Sequence, residues 1–90
     1  MEITFTKINN KYVSEFQVTS DFNLHLERSE GGTLNIEQRT AQGQYVAVKD
    51  AKFPLRDKVI DCDFSALVYP KYIKIISDIN PTLAVVTLNE

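Results

Sequence analysis

Apolar and polar residues alternate with a period of two along most of this chain, the pattern of β-strands with one dry face and one wet face. Phe22, Leu24 and Leu26 alternate with Asn23, His25 and Glu27, and Leu34 and Ile36 alternate with Thr33, Asn35 and Glu37. Ile60, Cys62 and Phe64 fall on one face of a third run, with Val59, Asp61 and Asp63 on the other. No stretch carries apolar residues at helical spacing over three turns, so the chain lacks the amphipathic stripe that a helical core requires.

Turn chemistry divides these runs. Asn9-Asn10 separates strands at 2–8 and 11–19, and asparagine tolerates the positive φ of a tight hairpin. Ser29-Glu30-Gly31-Gly32 predicts a second hairpin over 22–39, and Thr40-Ala41-Gln42-Gly43 predicts a turn before a strand at 44–49. Residues 50–57, with Pro54 and several charges, read as a loop or a sheet crossing. A strand follows at 58–64, then a single helical turn limited by Pro70 within 65–71. Strands at 72–77 and 83–89 close the chain around Asp78-Ile79-Asn80-Pro81-Thr82. About eight short strands with frequent turn signals predict an all-β fold, a single small antiparallel β-sandwich over 1–90 with a barrel-like variant open. The expected core is Ile3, Phe5, Tyr12, Phe16, Val18, Phe22, Leu24, Leu26, Leu34, Ile36, Ile60, Phe64, Ile73, Ile75, Val85 and the Tyr45 to Val48 strand.

With 90 residues, 43% hydrophobic and 24% charged, the chain has a globular composition and room for one core. Lys and Arg number 10 against 12 Asp and Glu, a formal net charge of -2 that argues against a general nucleic-acid binder. A single cysteine excludes an intrachain disulfide, and no apolar run is long enough for a membrane-spanning helix. The opening MEITFTKINN has no basic segment followed by an apolar one, so no signal peptide is expected and synthesis is placed in the cytoplasm. Domains this small are marginally stable, and oligomerisation is a natural way to cover remaining apolar surface.

Candidate chemistry is sparse. A nucleophile–base pair needs both groups within hydrogen-bond reach, yet His25 falls on a polar strand face and Cys62 on the apolar face of a different strand. One Cys and one His do not complete a tetrahedral zinc site within one chain. Asp57, Asp61 and Asp63 share parity and could contribute to a calcium shell, but the spacing of a calcium loop is missing. Gly31, Gly32 and Gly43 do not form a phosphate-binding pattern. No cofactor or metal is therefore expected. The run Tyr69-Pro70-Lys71-Tyr72-Ile73-Lys74 interleaves aromatics with cations and could stack on a sugar, although the chain has no tryptophan.

The runs Gly43-Gln44-Tyr45-Val46, Val59-Ile60-Asp61-Cys62-Asp63-Phe64 and Tyr72-Ile73-Lys74-Ile75-Ile76-Ser77, with Pro81 and Ala84-Val85-Val86-Thr87 behind them, resemble small β-sandwich structural proteins of tailed phages. The resemblance spans about residues 43–88. It implies a non-enzymatic virion component, of capsid-decoration, head-fibre or connector type, held by protein–protein contact with other virion proteins or with itself. The expected contact residues are Phe53 and Leu55 in the long loop together with Val59, Tyr69 and Tyr72. The alternative is a carbohydrate- or surface-ligand-binding sandwich that uses Tyr69 and Tyr72, with no role for nucleic acid or membrane.

Overall fold

The computed structural model describes residues 1–53, 57–65 and 70–89, with 49–53 described by their backbone alone. Eight strands run in chain order: β1 (Thr6–Ile8), β2 (Lys11–Val18), β3 (Phe22–Glu27), β4 (Leu34–Arg39), β5 (Tyr45–Phe53), β6 (Val59–Phe64), β7 (Lys71–Ser77) and β8 (Leu83–Leu88). They form a five-stranded sheet in the order β1-β2-β7-β4-β5 and a three-stranded sheet in the order β6-β3-β8. Neighbouring strands pair antiparallel throughout. The sheets stay separate, which makes the fold a sandwich and not a closed barrel.

Alternation explains how the two layers meet. Val18, Leu34, Ile36, Val48, Ile73 and Ile75 project inward from the large sheet onto Phe22, Leu24, Leu26, Ile60, Phe64, Ala84 and Val86 of the small one. Phe22 is fully buried and anchors this layer, stacking on Phe64 at 5.0 Å and meeting Phe16 edge-on at 6.3 Å. Ile3, Phe5, Phe16, Cys62 and Leu88 pack around the margin.

The first hairpin forms as expected, with Asn9 and Asn10 at φ 50 and 65, the left-handed pair that matches strand twist. The strand expected over 2–8 is divided between the two sheets. Glu2 bridges Val85, and Ile3 N–H donates to the Ala84 carbonyl at 3.1 Å, so the first residues line the outer edge of β8. From Thr6 the chain pairs with β2 in the large sheet. One segment thereby ties the two sheets together along one side.

The hairpin expected over 22–39 does not form: β3 pairs with β6 and β8, whereas β4 pairs with β5 and β7. Residues 28–33 cross between the sheets, and the physical reason is Arg28, which is only 4% exposed. Its guanidinium donates to the carbonyls of Gly32 at 3.0 Å, Thr33 at 3.2 Å and Asp57 at 2.5 Å, and to Ser77 Oγ at 3.3 Å. Gly32 sits where a Cβ would meet Ile79 Cγ1 at 3.1 Å, a tight approach that a larger residue could take only if Ile79 shifted slightly. The strands around Asp78 to Thr82 likewise lie in different sheets.

Three further expectations are corrected. The segment 50–53 belongs to β5, which continues to Phe53 opposite Leu34 after a register shift between Asn35 and Glu37. Val85 points outward between the buried Ala84 and Val86, because an unbroken apolar run carries no parity of its own. Of Tyr45 to Val48 only Val48 is buried, since β5 is an edge strand and Val46 stays 44% exposed. The helical turn expected near 65–71 falls mainly on 66–69, outside the described residues, and Lys71 already begins β7.

Candidate functional site

The outer face of the five-stranded sheet carries the most distinctive surface chemistry. Tyr72 stands on the central strand β7, opposite Gln17 of β2, and is 40% exposed. Arg39, at the end of β4, holds its guanidinium carbon 4.4 Å from the Tyr72 ring centroid, a cation–π contact. Arg39 also faces Tyr45 across the β4–β5 pair. One row further along, Lys74 reaches over the Tyr45 ring at 5.1 Å and pairs with Glu15 at 3.8 Å. Burial, reinforced by the Glu15 charge, pushes the Tyr45 phenol above its ordinary pKa and keeps it protonated at neutral pH. Beside Tyr72 lies a shallow depression of about 330 Å³ lined by Gln17, Arg39, Thr40, Ala41, Pro70 and Lys71 together with Tyr72 itself.

The outer face of the three-stranded sheet is built differently. His25 Nδ1 lies 2.9 Å from Asp61 Oδ2 across the β3–β6 pair, and Nε2 lies 2.7 Å from Glu27 Oε2. Both ring nitrogens therefore face carboxylates, an arrangement that only the doubly protonated imidazolium satisfies as a donor at each end. The hydrogen bond to Glu27, then that to Asp61, raises the His25 pKa above its ordinary value. Asn23 Nδ2 donates to Asp61 at 2.8 Å and to Asp63 at 3.0 Å. These bonds, Asn23 first and His25 second, hold the Asp61 carboxyl below the usual range.

Within this strip the Asn23 amide and both His25 ring nitrogens are engaged by carboxylates. Among the described residues, no group of three or more His, Cys, Asp or Glu side chains is placed to hold a metal ion. Asp57 sits apart from Asp61 and Asp63, its carbonyl occupied by Arg28. Cys62 lies on the opposite face, in register with Leu24, while His25 is in register with Asp61. Burial pushes the Cys62 thiol up to about 11, so it is not a thiolate at neutral pH.

The expected contact residues are dispersed. Tyr72 is exposed on the large sheet, whereas Val59, 59% exposed, stands on edge strand β6 of the small sheet. Phe53 is on β5 by its backbone, and its side chain, with Leu55 and Tyr69, lies outside the described residues. Arg39 and Gln17 join Tyr72 although the sequence pattern did not single them out, Lys74 belongs to the 69–74 run that it did, and Tyr45 was expected in the core. The order of strands that makes them neighbours was not readable. Neither a comparison with protein-family models nor one with curated proteins finds a match to this chain.

Proposed function

We propose that this chain is a non-enzymatic structural protein, a virion component of the tailed-phage kind, that docks the outer face of its five-stranded sheet on a second copy or a neighbouring virion protein. The observation that carries this reading is Tyr72, a large exposed ring at mid-sheet flanked by Arg39 and Tyr45. Tyr and Arg are the residue types enriched where interfaces bury most of their binding energy. Tyr72 and Arg39 stand on the inner strands β7 and β4, with Tyr45 on the neighbouring edge strand β5. The phage attribution rests on the resemblance of the runs that become β5 to β8. The placement of His25 and Cys62 on opposite sheet faces supports a role without nucleophilic catalysis.

Light scattering coupled to size exclusion, across a wide concentration range, tests the docking. Wild type should form a closed oligomer, and Tyr72→Ala should weaken it by at least about 30-fold, the effect of a central anchor worth about 2 kcal/mol. Measured at a concentration low enough that both proteins are monomeric, its thermal midpoint should match wild type. An oligomer indifferent to Tyr72→Ala would remove this face from the assembly. A strict monomer at every concentration would end the self-docking form and favour a second reading.

That second reading is a carbohydrate-binding sandwich, and the depression beside Tyr72 is the observation in its favour. A glycan panel would support it through hits lost in Tyr72→Ala, and a panel without hits would dismiss it.

A further inference from the structure

We infer that the depression beside Tyr72 is a carboxylate-recognition subsite that receives an acidic side chain, Glu in preference to Asp, from the docked protein partner. The inference rests on the contact reading above and names the chemistry of what docks.

Charge pairing on the large sheet points to this place. Lys11 is paired with Asp78 and Lys74 with Glu15. Arg39 and Lys71 have no carboxylate within ion-pair distance among the described residues. Glu37, the acid nearest Arg39 in sequence on the same face, is in register with Ala47 and Lys74. Lys71 instead donates to the Arg39 backbone carbonyl at 3.4 Å, and both residues line the depression. In a chain of net charge -2, two cations with no carboxylate partner among the described residues lining one concavity are a local reversal of sign. A guanidinium fork beside an ammonium group suits a carboxylate, which accepts bidentate and charge-assisted bonds.

The apolar lining bears on the kind of acid. Ala41 and Pro70 line the depression beside Arg39 and Lys71, an apolar contact that suits the methylene stem of a glutamate. A sugar ring would ask for polar partners around its hydroxyls. Here the Thr40 hydroxyl accepts the Gln44 N–H at 3.2 Å, and two of the polar side chains lining the depression, Arg39 and Lys71, are cations. The Tyr72 ring is itself engaged by Arg39. An acidic residue with an aliphatic stem fits this combination better than a polyhydroxylated ring.

The test uses the intact chain and two tripeptides, acetyl-Leu-Glu-Leu-amide and acetyl-Leu-Gln-Leu-amide, followed by amide and Arg side-chain NMR shifts. The Glu peptide should give saturable shifts at Gln17, Arg39, Lys71 and Tyr72. It should bind at least about threefold tighter than the Gln peptide, the scale of a solvent-exposed ion pair. Raising salt from about 0.1 M to about 1 M, which shortens the Debye length from about 10 Å to about 3 Å, should erase the difference. Arg39→Gln should lose the preference, Arg39→Lys should keep part of it, and Lys11→Gln, distant on β2, should keep it whole. Unshifted resonances elsewhere show that each variant is folded. Equal binding of the two peptides, or no saturable shift, overturns the subsite. Saturation of the same resonances by glucuronate where the Glu peptide fails overturns it in favour of a saccharide. If Tyr72→Ala dissolves the oligomer while the peptides fail, only the subsite falls; if both tests fail, the contact reading falls with it.

Discussion

Arg28 offers the sharpest energetic prediction, because one buried side chain joins three separate parts of the sandwich. Replacing it with Met keeps an unbranched apolar stem but removes every guanidinium bond. Thr33 would retain a donor, since its carbonyl also accepts the Asp78 N–H at 3.2 Å. Ser77 Oγ would retain its bonds to Ile79, at 2.7 Å as donor and 3.2 Å as acceptor. The Gly32 and Asp57 carbonyls would each lose the guanidinium bond shown here. Leaving a buried acceptor unpaired costs about 1–3 kcal/mol, so this pair together costs about 2–6 kcal/mol. The guanidinium also carries an opposing term: burial lowers its pKa, and Nε has no hydrogen-bond partner, so removing it relieves a desolvation penalty. Water can also reach the half-exposed Gly32 and Asp57. The net expectation for Arg28→Met is a loss of about 2–4 kcal/mol, a large part of the roughly 5–13 kcal/mol typical of a chain this long.

Urea denaturation followed by circular dichroism measures this directly, provided the m-value matches wild type. At about 4–8 °C per kcal/mol for a small domain, the thermal midpoint should fall by roughly 10–30 °C. Arg28→Lys keeps the charge without the fork, cannot reach all of the acceptors together, and should fall between wild type and Met. A Met variant within about 0.5 kcal/mol of wild type, the scale of a neutral surface change, would refute the view that Arg28 holds the crossing in place.

The remaining predictions concern single groups. His25, the one histidine, should titrate by NMR above its ordinary 6.5, and Asp61→Asn should bring it down. Because the folded pKa is the raised one, its stabilisation should be fully present below about 6.5 and disappear as pH rises through the folded value; a flat stability profile across that window would contradict the clamp. Gly43 sits at φ +84 with nothing within 4 Å of where a Cβ would stand, so Gly43→Ala should cost about 1–2 kcal/mol by backbone strain alone, with Gly43→Asn recovering part in a melting series. Iodoacetamide should label Cys62 slowly at pH 8 in the folded chain and rapidly in urea, since burial holds the thiol at about 11; equal rates would show that the thiol is open to solvent.

Periodicity was enough to assign faces but not partners. It placed Leu24, Ile60, Cys62 and Phe64 toward the core and His25, Asp61 and Asp63 toward solvent, as found. It could not show that β3 lies beside β6, so the His25 clamp stayed hidden in residues whose faces were already assigned. The Ser29 to Gly32 segment has the chemistry of a hairpin turn, and the local chain offers no reason to cross. That reason is nonlocal: Arg28 finds its acceptors at Asp57 and Ser77, far along the sequence. Where alternation lapses, as in Leu83–Leu88, parity had no source, and Val85 was expected on the wrong side. The same limit separates Val59 from Tyr72, which share exposure but stand on different sheets.

The two outer faces divide their polar groups in opposite ways, and the division bears on where recognition takes place. On the small sheet Asn23, His25, Glu27, Asp61 and Asp63 bond mainly with one another, which uses the donors a ligand would need. Their carboxylates also line edge strand β6 beside the exposed Val59. Charges on an edge oppose strand addition by a neighbouring chain, so Val59 is better explained as a protected edge residue than as a docking point. On the large sheet the aromatic rings lie on β7 and β5, with Arg39 of β4 between them and no carboxylate paired to it among the described residues. Tyr72 is in register with Gln17 of β2 and Arg39 with Tyr45 of β5, so both side chains stand on paired strands, and a preorganised pair loses less entropy on binding. On the proposed docking, contact falls around Tyr72 and Arg39, so substitutions along β6 should leave assembly intact while substitutions at these two residues should disrupt it.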